Sequence, residues 1–229
     1  MLFVMVALPQ VPKPVFSIDL RGRVHGGDEM VLRPGTCIES FMAGRGCTFT
    51  GGRSGLMIED RKELRLTRSM GISCWVKLDR LPDNSNGSQI VFRGDDRNGH
   101  DPYTLVVHSD GSVNFGIADA KDVTTLVKTR PIPLNRWTHI VASLNDLNGG
   151  MRIWVDGLLA DARTTELRPY ADLDPGTAPG VGIGNVQNEY GPHNQPLYGS
   201  LADVRIYDVP INPKLVGYDP QGWSSPYRE

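Results

Sequence analysis

The feature that most restricts this chain is a strict two-residue alternation over residues 135–162. Trp137, His139, Val141 and Ser143 alternate with Thr138, Ile140, Ala142 and Leu144, the period of a strand with two distinct faces. Asn145 to Gly150 is a run of turn residues, after which Met151, Ile153 and Val155 alternate with Arg152, Trp154 and Asp156. The chain therefore folds back as a hairpin, and Asp156-Gly157 turns it again almost at once. A three-stranded meander cannot bury both of its faces, so the rest of the chain must supply a covering layer.

The composition points the same way. Among 229 residues there are 26 glycines and 17 prolines, which suit many short strands joined by turns better than long helices. The length fits one large all-β domain with a sizeable core, or two small domains, and the single domain is favoured. Residues 1–14 read as an extended arm, an apolar plug followed by Pro9, Pro12 and Pro14. Residues 15–212 form the domain. Residues 213–229 are a tail carrying Tyr218, Trp223 and Tyr227. Within the domain, strands are expected at Val15 to Leu20, Thr36 to Phe41, Cys47 to Thr50, Leu56 to Ile58, Gly71 to Leu78 and Gln89 to Arg93. Further strands are expected at Tyr103 to His108, Ser112 to Ile117, Thr124 to Thr129, Gly180 to Asn185 and Leu197 to Tyr207, with a glycine-rich loop through Gly26-Gly27. Ser109-Asp110-Gly111 should close a tight hairpin.

Several function classes are disfavoured. A formal net charge of -2 lacks the clustered positive excess that phosphate binding needs, so nucleic acid is not an expected partner. Arg61, Lys62, Arg65 and Arg68 are interleaved with Glu59, Asp60 and Glu63, the pattern of a solvated face. The apolar start is too short to span a bilayer and has no basic residues ahead of it, so an export signal is not expected. Cys37, Cys47 and Cys74 show no metal-ligand spacing; Cys74 should be a buried thiol, and a Cys37–Cys47 bridge stays open. Gly180 to Asn185 is not followed by a helix, which removes the amide donors a nucleotide loop exists to supply.

The motifs in order are Phe49-Thr50-Gly51-Gly52, Ile72-Ser73-Cys74-Trp75-Val76-Lys77, Tyr103-Thr104-Leu105 with Asp110-Gly111, Trp137 to Ala142, Trp154-Val155-Asp156-Gly157, Ile183-Gly184 and Gly199 to Tyr207. This series resembles the laminin-G-like, concanavalin A-like lectin/glucanase superfamily over roughly residues 15–210. The resemblance implies an antiparallel jelly-roll β-sandwich, in agreement with the count of short alternating strands. It also implies a module that mostly binds sugars or proteins, in several branches with calcium near the first and last strands. Here Ala202 stands where the last-strand motif usually has an acid, Asp203 one position on should point to the other face, and Asp19 offers one carboxylate. Calcium needs several hard oxygen ligands, so no cofactor is expected and calcium is a minority alternative.

The same superfamily includes glucanases, whose chemistry needs two carboxylates about 5 Å apart. Their E-x-D-x-x-E pattern is absent, since Glu59 and Asp60 are adjacent and face opposite ways. His139 has no nucleophile partner in the sequence and reads as a packing residue, so no enzyme is expected. The loops carry what remains. Asp95, Asp96, Asn98, His100 and Asp101 with Tyr103, and Asn188, Tyr190, His193 and Asn194, combine planar hydrogen-bonding groups with aromatic faces suited to a sugar. The expectation is a non-catalytic structural or adhesion subunit, a decoration or attachment protein at the surface of a phage-like particle, contacting neighbouring subunits of an oligomeric assembly through its arm and tail. The alternative is a free or surface-attached carbohydrate-binding module outside the cell.

Overall fold

A computed structural model describes residues 11–18, 24–25, 30–32, 36–38, 47–177, 179–186 and 193–216, with the backbone alone at 24–38. The strands, in chain order, are β1 (Phe16–Ile18), β2 (Val24–His25), β3 (Met30–Leu32), β4 (Thr36–Ile38), β5 (Cys47–Thr50), β6 (Leu56–Glu59), β7 (Met70–Leu78) and β8 (Ser88–Gly94). They continue as β9 (Tyr103–Val107), β10 (Val113–Ala118), β11 (Thr124–Lys128), β12 (Thr138–Asn145), β13 (Gly150–Val155), β14 (Leu158–Thr164), β15 (Gly180–Ile183) and β16 (Tyr198–Tyr207). Lys62–Leu64 and Pro175–Thr177 are single 3-10 turns, and no α-helix occurs among the described residues.

Two antiparallel sheets stack face to face. The first runs β14-β13-β12-β7-β16-β1-β2, with β5 also beside β16 and β4 beside β5; the second runs β11-β10-β9-β8-β15-β6-β3. The expected meander is β12-β13-β14, and its Asp156-Gly157 turn has φ of 47° and 80°, the doubly left-handed backbone that matches the twist of a two-residue hairpin. At Ser109-Asp110-Gly111 the amide of His108 donates to Ser112 O across the expected hairpin. β2 and β3 were not anticipated. They lie in the stretch read as a glycine-rich loop, and strands of two or three residues are too short for alternation to show.

Alternation decides what fills the space between the sheets. Met70, Ile72, Cys74, Val76 and Leu78 of β7 point inward with Ile140, Ala142 and Leu144 of β12, and meet Leu105, Phe115 and Val127 of the second sheet. Burying each large side chain of this kind contributes about 1.5–3 kcal/mol. Cys74 is the buried thiol expected, and burial, reinforced by Asp203, pushes its ionisation above the ordinary thiol range. In the β4–β5 ladder Cys37 pairs with Thr48, and Ile38 pairs with Cys47. The two cysteines thus occupy positions of opposite parity, a register that does not favour a bridge between them.

The outer face of the first sheet is partly covered as well. Val141 and Tyr207 form a second apolar cluster with Ile211 and Val216 from the segment after β16, against which Trp154 packs. Gly71 makes this approach feasible, because a Cβ there would lie 2.4 Å from Ile211 Cγ1. The amide of Ile211 donates to Ser143 Oγ at 3.0 Å, fixing the strap to β12. His139 is buried on this side against Trp75, ring centroids 4.8 Å apart. Burial, then Arg205, pushes its pKa down to about 3, so the ring stays neutral as a packing group.

β16 carries a bulge between Ala202 and Arg205, where Asp203 has φ of 49°. The extra residue lets Leu201 and Val204 both reach the core. Asp203 Oδ1 accepts a hydrogen bond from Arg205 Nε at 2.7 Å. Asp19 lies outside the described residues, among which no group of three His, Cys, Asp or Glu is placed to hold a metal.

Candidate functional site

The outward side chains of β8 to β11 build a groove. The ladders align Phe92 with Thr104, Thr104 with Gly116, and Gly116 with Leu126, a row across four strands in which the third position has no side chain. Beside it Val106 pairs with Asn114. The result is a trough of about 400 Å³ with Thr104, Val106, Asn114 and Gly116 in its floor. Ser85 and Asn86 form one rim, Asn98, Gly99 and Asp101 a second, and His193 and Gln195 a third. That volume falls within the range of small-ligand sites.

Internal hydrogen bonds fix these rims. Gln89 is fully buried; its Nε2 donates to His193 O at 3.1 Å and its Oε1 accepts from Val186 N at 2.7 Å, tying the segment before β16 to β8. His193 Nε2 lies 2.5 Å from Arg97 O, and because a carbonyl can only accept, this nitrogen carries the hydrogen. The His193 ring also rests on Phe92, with centroids 4.9 Å apart. The β8–β9 loop is held from the far side, where Asp122 Oδ1 accepts from the amide of His100 at 2.9 Å.

Of the residues expected from the loops, the groove receives Asn98, Asp101 and His193. The others do different work. Asp95 is buried and binds the Arg97 side chain at 2.6 Å while accepting from the amides of Arg97 and Asp174. Burial opposes ionisation of Asp95, but these donors outweigh it and hold the carboxyl below its usual range. Asp96 is exposed and anchors the loop through its amide to Thr177 O. His100 adopts a left-handed backbone, φ 62°, outside the groove lining. Asn194 Oδ1 accepts from Asn185 Nδ2 at 2.9 Å as part of the scaffold. Asn188 and Tyr190 lie outside the described residues.

Tyr103 requires a correction. It is fully buried and its hydroxyl donates to Leu64 O at 3.0 Å, so it belongs to the core. Strand parity is the reason: Thr104, one residue on, takes the outward position. The floor residues Asn114 and Gly116 were not anticipated, yet β10 carried a signal. Asparagine and glycine are both poor strand residues, and their alternation with Val113, Phe115 and Ile117 marks a face that something approaches closely.

The groove lining mixes donors and acceptors. Asp101 Oδ1 and Asn114 Oδ1 are buried without a hydrogen-bond partner. Burial, then Asp122 and Asp95, pushes the Asp101 carboxyl up to about 8. Among the described residues, Asp101 is the only carboxyl in the groove lining, where a glycosidase would need two. A second concavity of about 440 Å³ lies at the β13–β14 turn, lined by Pro131, Ile132, Pro133, Leu158 and Leu159.

A two-sheet jelly-roll with a ligand-sized trough on the open face of one sheet defines a class of β-sandwich module. A sequence profile described as the Concanavalin A-like lectin/glucanases superfamily matches residues 50–217, and the chain belongs to that family. No curated protein matches the sequence. Among solved structures, the fold is similar to the binding domain of Paraclostridial Mosquitocidal Protein 1, at 16% identity and TM-score 0.68, covering 89% of this chain and 50% of that one. It is similar to domain 4 of AbnA, a GH43 extracellular arabinanase from Geobacillus stearothermophilus, in complex with arabinotriose, at 19% identity and TM-score 0.61, covering 90% and 98%. The binding domain of Botulinum Neurotoxin DC in complex with SialylT is similar at 13% identity and TM-score 0.64, covering 89% and 50%. The chain thus spans about half the length of the toxin binding domains it matches.

Proposed function

We propose that this protein is a non-catalytic glycan-binding module acting outside the cell or at a surface, with the β8–β11 groove as its binding site. The observation that carries the reading is the Phe92–Thr104–Gly116–Leu126 row, which leaves a trough bordered by amides, hydroxyls and a carboxyl. Sugars need such a surface, because their hydroxyls seek planar polar partners while their C–H faces rest on apolar ones. Support comes from domain 4 of the arabinanase, a module matched over nearly its whole length and bound to a trisaccharide. A glycan array and titration calorimetry test the reading. Wild-type protein should give hits that Gly116→Val abolishes by filling the trough, with the fold checked by its melting curve; an array with no hit rejects it.

A finer reading makes the module an adhesion or decoration subunit of a phage-like particle. The apolar edge favours protein contacts, since Leu158 and Leu159 of β14 are 76% and 55% exposed beside the second concavity. Deleting residues 1–14 should then abolish assembly while leaving a folded core. An unchanged oligomeric state would reject it.

A further inference from the structure

The charge inventory of the groove narrows what it can hold. Among the described residues its lining contains Ser85, Asn86, Asn98, Thr104, Asn114 and Gln195 as neutral polar groups, two histidines, and the single carboxyl of Asp101, but no lysine or arginine. Of the cations on adjoining elements, Arg97 is held by a buried carboxylate, whereas Lys128 makes only a solvent-exposed pair outside the lining. Arg97 is held by Asp95 at 2.6 Å, and Lys128, on the strand beside Asn114, lies 3.4 Å from Asp110. The two described lining atoms that are buried without a hydrogen-bond partner, Asp101 Oδ1 and Asn114 Oδ1, are both oxygens. An anionic ligand would surrender hydration here without gaining a lysine or arginine from the described lining, and desolvating an unpaired charge is among the costliest events in recognition. Asp122 also stands behind the rim, where it accepts from the amide of His100. A neutral hydroxyl carries no such penalty and can donate to an acceptor.

We propose that the groove selects uncharged, hydroxyl-rich sugars and discriminates against carboxylate-bearing ones, an inference that rests on the glycan-binding reading above. It separates this chain from the relative whose solved complex contains a sialylated ligand. The determinant is the lack of a lysine or arginine among the described lining residues, so supplying one should change the preference. Leu126 stands at the end of the floor row and is 37% exposed, so it is the position chosen to carry one.

The test is an array of neutral oligosaccharides, arabinotriose among them, beside matched sialylated and uronic-acid oligosaccharides, followed by calorimetry on the hits. Wild-type protein should bind neutral members at least tenfold more tightly than acidic ones at 0.15 M salt. Leu126→Arg should narrow or reverse that ratio, and Gly116→Val should remove both kinds of binding. Acidic sugars bound as tightly as neutral ones, with Gly116→Val blocking both, would overturn the charge selection while leaving the glycan reading intact. Leu126→Arg with an unaltered ratio would equally overturn it. No binding of either kind would bring down the glycan reading and this inference together.

Discussion

Asp101 Oδ1 lies 3.7 Å from His193 Nε2, joining the β8–β9 loop to the segment before β16 in the wall of the groove. The contact is not a full ion pair, because the imidazole hydrogen is committed to Arg97 O. Asp101 is therefore a largely buried carboxyl with acids nearby and no cation bound to it, which is why its proton is retained so far above the ordinary carboxylate range.

That relationship gives stability a pH dependence. The folded Asp101 holds its proton up to about 8, whereas the unfolded side chain loses it near the ordinary value of 3.8. Between those values the folded state binds more protons than the unfolded one, so this group's contribution is complete below about 3.8 and is lost as pH rises through about 8. Its side chain is still 28% exposed, which tempers the effect. Asp101→Asn should flatten the decline and raise the melting midpoint at pH 8.5 by about 2–4 °C, the scale of 1 kcal/mol in a domain of this size. Thermal melts of both proteins from pH 4 to 9 check it; parallel curves would refute it.

Tyr103 provides a control for the binding site. Tyr103→Phe removes the hydrogen bond to Leu64 O and should destabilise by about 1–2 kcal/mol. Affinity for any groove ligand should be unchanged. A loss of affinity without loss of stability would place Tyr103 in the site after all.

Arg93 is fully buried, pairs with Asp60 at 2.7 Å, and donates to the carbonyls of Tyr170 and Ala171. Arg93→Met should cost about 3–5 kcal/mol, since buried acceptors lose their donor together with the ion pair. Urea unfolding would show a lower midpoint at similar slope. A midpoint within error of wild type would show that the clamp contributes little.

The strap over the first sheet depends on Gly71. Gly71→Val should push Ile211 off β12 and cost about 1–3 kcal/mol, with faster hydrogen exchange at the Ile211 amide. Unaltered protection of that amide would contradict the packing described.

Gln89 holds the third rim of the groove through two hydrogen bonds. Gln89→Leu should leave His193 O and Val186 N without these partners, destabilise by about 1–3 kcal/mol, and weaken groove binding by more than stability alone explains. Calorimetry well below the melting midpoint separates the two effects.

Much of the architecture was legible from residues alone. The alternation at 137–144, the turn chemistry of Asp156-Gly157 and the inward row of β7 are local properties, and burial of one face forces two such layers together. The site was less legible because its residues obey no local rule. Asp95 and Asp101 look alike in one loop, yet Asp95 closes on Arg97 while Asp101 turns to the groove. Tyr103 and Thr104 are neighbours, and parity alone sends one to the core and the other to the floor. Gly116 gained its meaning only when pairing set it between Thr104 and Leu126. Sequence by itself determined that this chain must form stacked antiparallel sheets, because side-chain period and turn preference are written residue by residue. Only the tertiary structure decided where a ligand can sit, because a groove is made by registers and loop closures between segments distant in the chain.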